Sequence, residues 1–298
     1  MKDPKTAHGG LLAEYRNGNY VVTLYADGTK VKFTRDDFFV ADFPDSIDLK
    51  ITDRCDMNCP MCHENSRANG EHGRLDAPFL AALHRGTELA IGGGNPLSHP
   101  DLSAFLSEMK TRGAICNLTV NEKHFSDNTE LLEKLLADKL VYGLGISVGE
   151  CSKKLLDFAA THGTVVLHLI CGMADEKLFA KLCDRLLKVL LLGYKKFGRG
   201  EKFYSAAVEK NIEWLKNNVA ALSDRLAAMC FDNAAIEQLE LKNSIPAPLF
   251  DARYMGDDGN GSMYIDLVKK QYAKSSTSRE RFPLETSVDS MFAKIRTA

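Results

Sequence analysis

A chain of 298 residues is long enough for one large domain or two modest ones. Its 45% apolar and 26% charged residues are those of an ordinary soluble globular protein, and a formal net charge of -2 gives no bulk drive towards nucleic acid or an anionic membrane. No apolar run reaches the length of a membrane span, and the opening Met1-Lys2-Asp3-Pro4-Lys5 has no apolar signal core. The expectation is a cytoplasmic chain with no membrane partner and, in a reducing compartment, no disulfides.

In chain order, residues 11–35 read as an antiparallel meander. A β-rich run over 20–25 meets an alternating run over 30–34 through the turn Ala26-Asp27-Gly28. Residues 1–45 are taken as a structural N-terminal ribbon whose edge is open to strand addition by a peptide. From 46 onwards strand alternates with helix. Strands are expected at 46–52, 89–91, 115–120, 141–148, 164–170 and 189–194. Helices are expected at 77–89, 101–112, 130–137, 153–161, 176–187 and 206–227. Six such units in a row predict a parallel sheet with helices outside, an α/β fold. We read 46–228 as a partial (β/α)6 TIM-like barrel. Residues 229–298 form a small α+β C-terminal extension, with a strand near 230–232, a helix over 234–241, a strand over 262–267 and a terminal helix over 287–296.

Active sites of such barrels lie where strands end and loops begin. The first barrel strand runs straight into Cys55-Asp56-Met57-Asn58-Cys59-Pro60-Met61-Cys62. Three cysteines within eight residues can wrap one metal centre, and soft thiolates select zinc, copper(I) or iron–sulfur clusters. A cubane cluster wants four ligands and this loop supplies three, which leaves a metal position open for chemistry. Two other readings use the same residues. Cys59-Pro60-Met61-Cys62-His63 spells the pattern of c-type haem attachment, and three cysteines with His63 suit a structural zinc.

The Cys55-x3-Cys59-x2-Cys62 spacing resembles the signature of the radical S-adenosylmethionine (radical SAM) enzymes. That resemblance implies a [4Fe-4S] cluster held by Cys55, Cys59 and Cys62, with SAM chelating the fourth iron. It further implies reductive cleavage of SAM to a 5′-deoxyadenosyl radical that abstracts hydrogen from a substrate. Met61, before the last cysteine, takes the place of a residue that packs on the adenine. Gly92-Gly93-Gly94-Asn95-Pro96 is similar to the family's Gly-Gly-Glu-Pro motif, which binds the SAM amino group, but Asn95 stands where the acid is usual. An amide oxygen accepts a hydrogen bond there without the charge that strengthens it.

Weaker likenesses follow in the same order. Asn117-Leu118-Thr119-Val120-Asn121 resembles the polar strand end of the family, with Asn121 last. Ser147 matches a serine that reaches SAM, and Ile170 a residue beside the adenine. Arg199, in Tyr194-Lys195-Lys196-Phe197-Gly198-Arg199-Gly200, is a candidate to hold an anionic group because its fixed fork suits carboxylates. His63 sits beside the cluster, and Cys230 lies near a strand end where some members of the family use a thiol. His63, Arg199 and Cys230 are the candidate catalytic residues.

The resemblance implies an external flavodoxin- or ferredoxin-type reductant. The substrate is not written in the sequence, and a peptide and a small metabolite are both open. Rival readings are a non-catalytic zinc or c-type haem protein, and a degenerate member that binds a cluster without turnover.

Overall fold

The computed structural model describes residues 9–297; Met1–His8, which include the opening segment read above, and Ala298 lie outside the described residues. Two sheets organise it. Strands β1 (Leu11–Asn17), β2 (Tyr20–Tyr25) and β3 (Lys30–Phe33) form the antiparallel meander. The second sheet begins with seven parallel strands in sequence order: β4 (Ser46–Thr52), β5 (Glu88–Gly93), β6 (Ile115–Asn121), β7 (Gly143–Ser147), β8 (Val165–Ile170), β9 (Lys188–Leu192) and β10 (Ala228–Phe231). On the free side of β4 the sheet continues with β11 (Ser262–Asp266), parallel to β4, and then the antiparallel β12 (Gln271–Ala273) and β13 (Phe282–Pro283). The partial TIM-like barrel is therefore present. Its C-terminal segment adds strands to the same sheet. No helix among the described residues is long and apolar enough to cross a membrane.

Parallel strands covered on both faces usually read as continuous apolar runs. These alternate instead, because one face is packed and the other lines a hollow. Ile47, Leu49, Ile51, Leu89, Ile91 and Leu118 turn outward and are buried in the main core, as are Ile146, Leu167 and Leu191 further round. Their inward neighbours Asp48, Lys50, Gly92, Thr119, Ser147 and His168 line the cavity.

The meander closes the end of the barrel opposite the cysteine loop. Asp45, just before β4, accepts from Asn17 Nδ2 at 2.6 Å and from Tyr20 OH at 2.7 Å, and Lys32 Nζ lies 2.7 Å away. Lys30 pairs with Glu88 at the start of β5, and Lys188 Nζ donates to the Asp27 carbonyl at 3.1 Å at the start of β9. All these contacts are at the N-terminal ends of strands. The free edges of the meander therefore lie at the far end from the cysteine loop.

Two expected helices are cut short. The run over 77–89 is helical only at Pro78–Ala81. Its second half turns at Gly86 (φ 87), where the Tyr15 ring fills the space a Cβ would need, and His84 stacks on Phe43 at 3.7 Å. Docking of the meander overrides the helical pattern. Similarly, 176–187 is helical at Glu176–Leu182 and then breaks at the left-handed Asp184 and Leu186, with Asp184 bonded to Arg225.

Candidate active site around the cysteine loop

After β4 the chain makes an excursion closed at its neck. Cys55 N–H donates to the Arg67 carbonyl at 2.8 Å, and Arg67 N–H to the Asp53 carbonyl at 2.9 Å. Within it, Asn58 (φ 46) and Asn65 (φ 57) take the left-handed turns that asparagine tolerates. The segment after β9 clamps this loop from outside. Arg199 N–H donates to Cys62 O at 3.1 Å, its Nε to Cys59 O at 2.9 Å and its Nη1 to Ser66 O at 2.9 Å. At Gly198 (φ 57) a Cβ would fall 2.4 Å from the His63 carbonyl, so only glycine allows the approach. Arg199 was expected to hold an anion; the structure commits its fork to the backbone of the cysteine loop, and it lines neither described cavity.

The loop roofs a cavity of about 890 Å³. Cys55, Cys59, Cys62, Met61 and His63 face it from one side, and Gly93, Gly94, Asn121, Ser147 and Ile170 from the ends of β5 to β8. Gly94 N–H donates to Thr52 O and Asn95 N–H to Arg54 O, both at 2.7 Å. Cβ atoms at Gly93 and Gly94 would lie 2.5 Å from Thr52 O and 2.3 Å from Arg54 O. These two glycines are needed to seat the turn against the base of the cysteine loop. Gly92 meets only Thr119, at 4.0 Å, and leaves room in the cavity.

Two sequence expectations fall outside this cavity. The Asn95 side chain accepts from Leu97 N–H at 3.2 Å, capping the short turn Pro96–Ser98, and does not line it. Cys230 is exposed on β10, the free edge of the sheet, and does not line it either. Asn121 does line it, while its Oδ1 accepts from Lys123 N–H at 2.9 Å and caps the helix Glu122–Asp127.

The donor set suits a cluster better than one ion. The three thiols are free and half-buried, and face a common space. Burial raises the Cys55 and Cys59 thiols, so a strongly positive centre is needed to hold them as thiolates. A single tetrahedral zinc would draw three sulfurs to about 3.8 Å of one another. Among the described residues, the group whose ligand atoms all lie within 4.8 Å is Cys55, Asp56 and His124, and the three cysteines are not such a group. Sulfurs bound to three separate irons need not approach so closely.

Charge around the loop is tightly balanced. Lys50, buried on β4, lies 2.6 Å from Asp53 Oδ1, 2.7 Å from Glu64 Oε2 and 3.2 Å from Asp266 Oδ2. Tyr264 OH on β11 donates to Glu64 at 3.0 Å. Burial alone would raise Glu64; the His63 hydrogen bond and the Lys50 charge outweigh it and hold the carboxyl well below the usual range. Burial pushes His63 below its ordinary value. Asp56, hydrogen-bonded to His124 Nε2 at 2.6 Å, is also held low. Glu122 accepts from the N–H groups of Gly149, Cys151 and Ser152 and so fixes the loop after Ser147.

No family model matches the chain, and no curated protein matches it. Solved structures do. SuiB of Streptococcus suis bound to precursor peptide SuiA superposes with a TM-score of 0.57 at 14% identity, covering 85% of this chain and 65% of that one. SuiB bound to S-adenosylmethionine gives 0.55 at 13% identity, covering 82% and 64%. The chain has the fold of SuiB. It spans just under two thirds of the SuiB chain.

On that fold, four residues that the sequence reading passed over belong to the site: Lys50, Tyr264 and Asp266 in the charge cluster at the cysteine loop, and Asp48 on the cavity wall. A signal for Asp48 and Lys50 was present. Charged residues at alternate positions between Ile47, Leu49 and Ile51 mark a strand whose second face is not packed. Nothing local ties Tyr264 and Asp266 to the loop, because their pairing with β4 spans the whole barrel.

Proposed function

We propose that the protein is a radical SAM enzyme acting on a peptide. The observation that carries this is the convergence of three cysteine thiols with the ends of β5 to β8 on one cavity, on a sheet with the SuiB fold. Cys55, Cys59 and Cys62 would hold a [4Fe-4S] cluster; Met61, Gly93, Gly94, Asn121, Ser147 and Ile170 line the room for SAM. Once bound, these groups supply reductive SAM cleavage and a hydrogen-abstracting radical. The chain's own residues do the rest. Arg199 holds the loop in shape, the Lys50 cluster fixes its base to β4 and β11, and the barrel wall excludes water from a reactive centre. A flavodoxin- or ferredoxin-type protein would deliver the electron at the exposed face of the loop. Because SuiB is seen bound to a precursor peptide, a peptide is preferred here over a small metabolite. His63, at the cavity wall beside Cys62, is the proposed substrate-contacting residue.

Cys55, Asp56 and His124 support a second reading, a single zinc bound by a mixed donor set. Metal analysis separates the two. Protein purified without oxygen, with iron and sulfide restored, should carry about four irons per chain. Addition of SAM should then alter the electron paramagnetic resonance spectrum of the reduced cluster. Stoichiometric zinc and no sulfide would support the second reading and end the first.

A further inference from the structure

The cavity continues past the cysteine loop towards the middle of the barrel, and Asp48 stands in that deeper part. Asp48 and Lys50 share the inward face of β4, and Asp48 lies about 6.6 Å further along the strand from the loop. Lys50 is committed to Asp53, Glu64 and Asp266. Asp48 has no hydrogen-bond or ion-pair partner among the described residues, and its side chain is open to the space of the cavity.

The charges that face it do not balance it. Lys195, after β9, is the main influence of opposite sign, and its Nζ donates to Ser276 Oγ at 3.0 Å. Asp232 after β10, Asp258 before β11 and Glu64 in the cysteine loop add negative potential. His168, opposite on β8, is held down to about 4 by burial and is neutral at pH 7. Thr119, Ser147, Ile170, Leu190 and Leu192 also line the cavity, from β6 to β9. A carboxylate that opens into a cavity and is left unpaired by the protein is free to meet a cationic group held there.

The geometry points to Asp48 as the counter-ion for a cationic group of the substrate, an ammonium or guanidinium at the end of an aliphatic chain. The chain would lie along Leu190 and Leu192, with its carbons between Asp48 and the cysteine loop. This rests on the reading of the cavity as a substrate site; it names the class of side chain that the site takes.

The test does not depend on radical chemistry. Full-length protein labelled with 13Cγ-aspartate, with and without its iron and sulfide restored, is titrated with agmatine and, separately, with 1-pentanol. The Asp48 resonance is identified by its loss in Asp48→Asn. Agmatine should shift that resonance and lower its titration midpoint by at least one pH unit. It should bind at least tenfold more weakly to Asp48→Asn, recover in Asp48→Glu, and outcompete 1-pentanol. Equal binding to the wild type and Asp48→Asn overturns the proposal. So does an Asp48 that titrates below 4 without ligand, since Lys195 would then already be its partner. If agmatine binds as expected and SAM is never cleaved, the radical reading fails and the cation site stands.

Discussion

Arg199 shows how a residue singled out for one role makes different contacts in three dimensions. Its sequence neighbourhood, cationic and flanked by glycines, suggested an anion site. In the fold three of its donors meet Cys62, Cys59 and Ser66 carbonyls, and the flanking glycines allow that contact. Arg199→Ala should therefore lower the iron retained per chain several-fold after reconstitution while leaving the circular dichroism spectrum unchanged. Arg199→Lys should not rescue it, since an ammonium cannot serve two separated carbonyls as a planar fork does. The cysteines were legible because their chemistry is in the side chain itself. Asn95 was not, because whether it faces a ligand or caps its own turn is decided by one rotamer.

Asp48 makes a second prediction at this scale. Burial lifts its carboxyl from 3.8 to about 6, with Lys195 opposing. The folded state then binds more protons than the unfolded state between those values, so stability falls as pH rises from about 4 to about 6 and stays lowered above. Asp48→Asn removes that penalty. Its Tm should exceed that of the wild type at pH 7.5 and match it at pH 3.5, by differential scanning calorimetry. A stabilising substitution inside a cavity is the mark of a residue kept for binding.

Elements are joined by a few buried polar knots. Lys50 links β4, the cysteine loop and β11. Lys50→Met leaves three carboxylates enclosed without a cation and should cost roughly 3–5 kcal/mol, measured by urea unfolding of the protein without its cluster. Asp45 plays the same part for the meander, accepting from Asn17 and Tyr20 beside Lys32. Asp45→Ala should cost roughly 3–5 kcal/mol in the same experiment. It should leave iron content unchanged in the folded fraction, because the meander sits at the far end of the barrel. Such knots hide from the sequence: the periodicity that marks 77–89 as helix carries no record of the Tyr15 ring that packs against the turn at Gly86.

Across the whole molecule, the order of the parallel strands was readable because each joins its sequence neighbour through a helical connection. The placement of β11 was not, since it crosses the barrel to pair with β4 and brings Tyr264 and Asp266 to the cysteine loop. The site is thus assembled from adjacent strands that lie far apart in sequence.

Radical chemistry on SAM, proposed for this assembly, is read most directly as 5′-deoxyadenosine by mass spectrometry, after dithionite and SAM are added to anaerobic, iron- and sulfide-restored protein. Product is expected from the wild type and none from Cys55→Ala, Cys59→Ala or Cys62→Ala. Zinc or haem in place of a cluster, or product that survives all three substitutions, contradicts it.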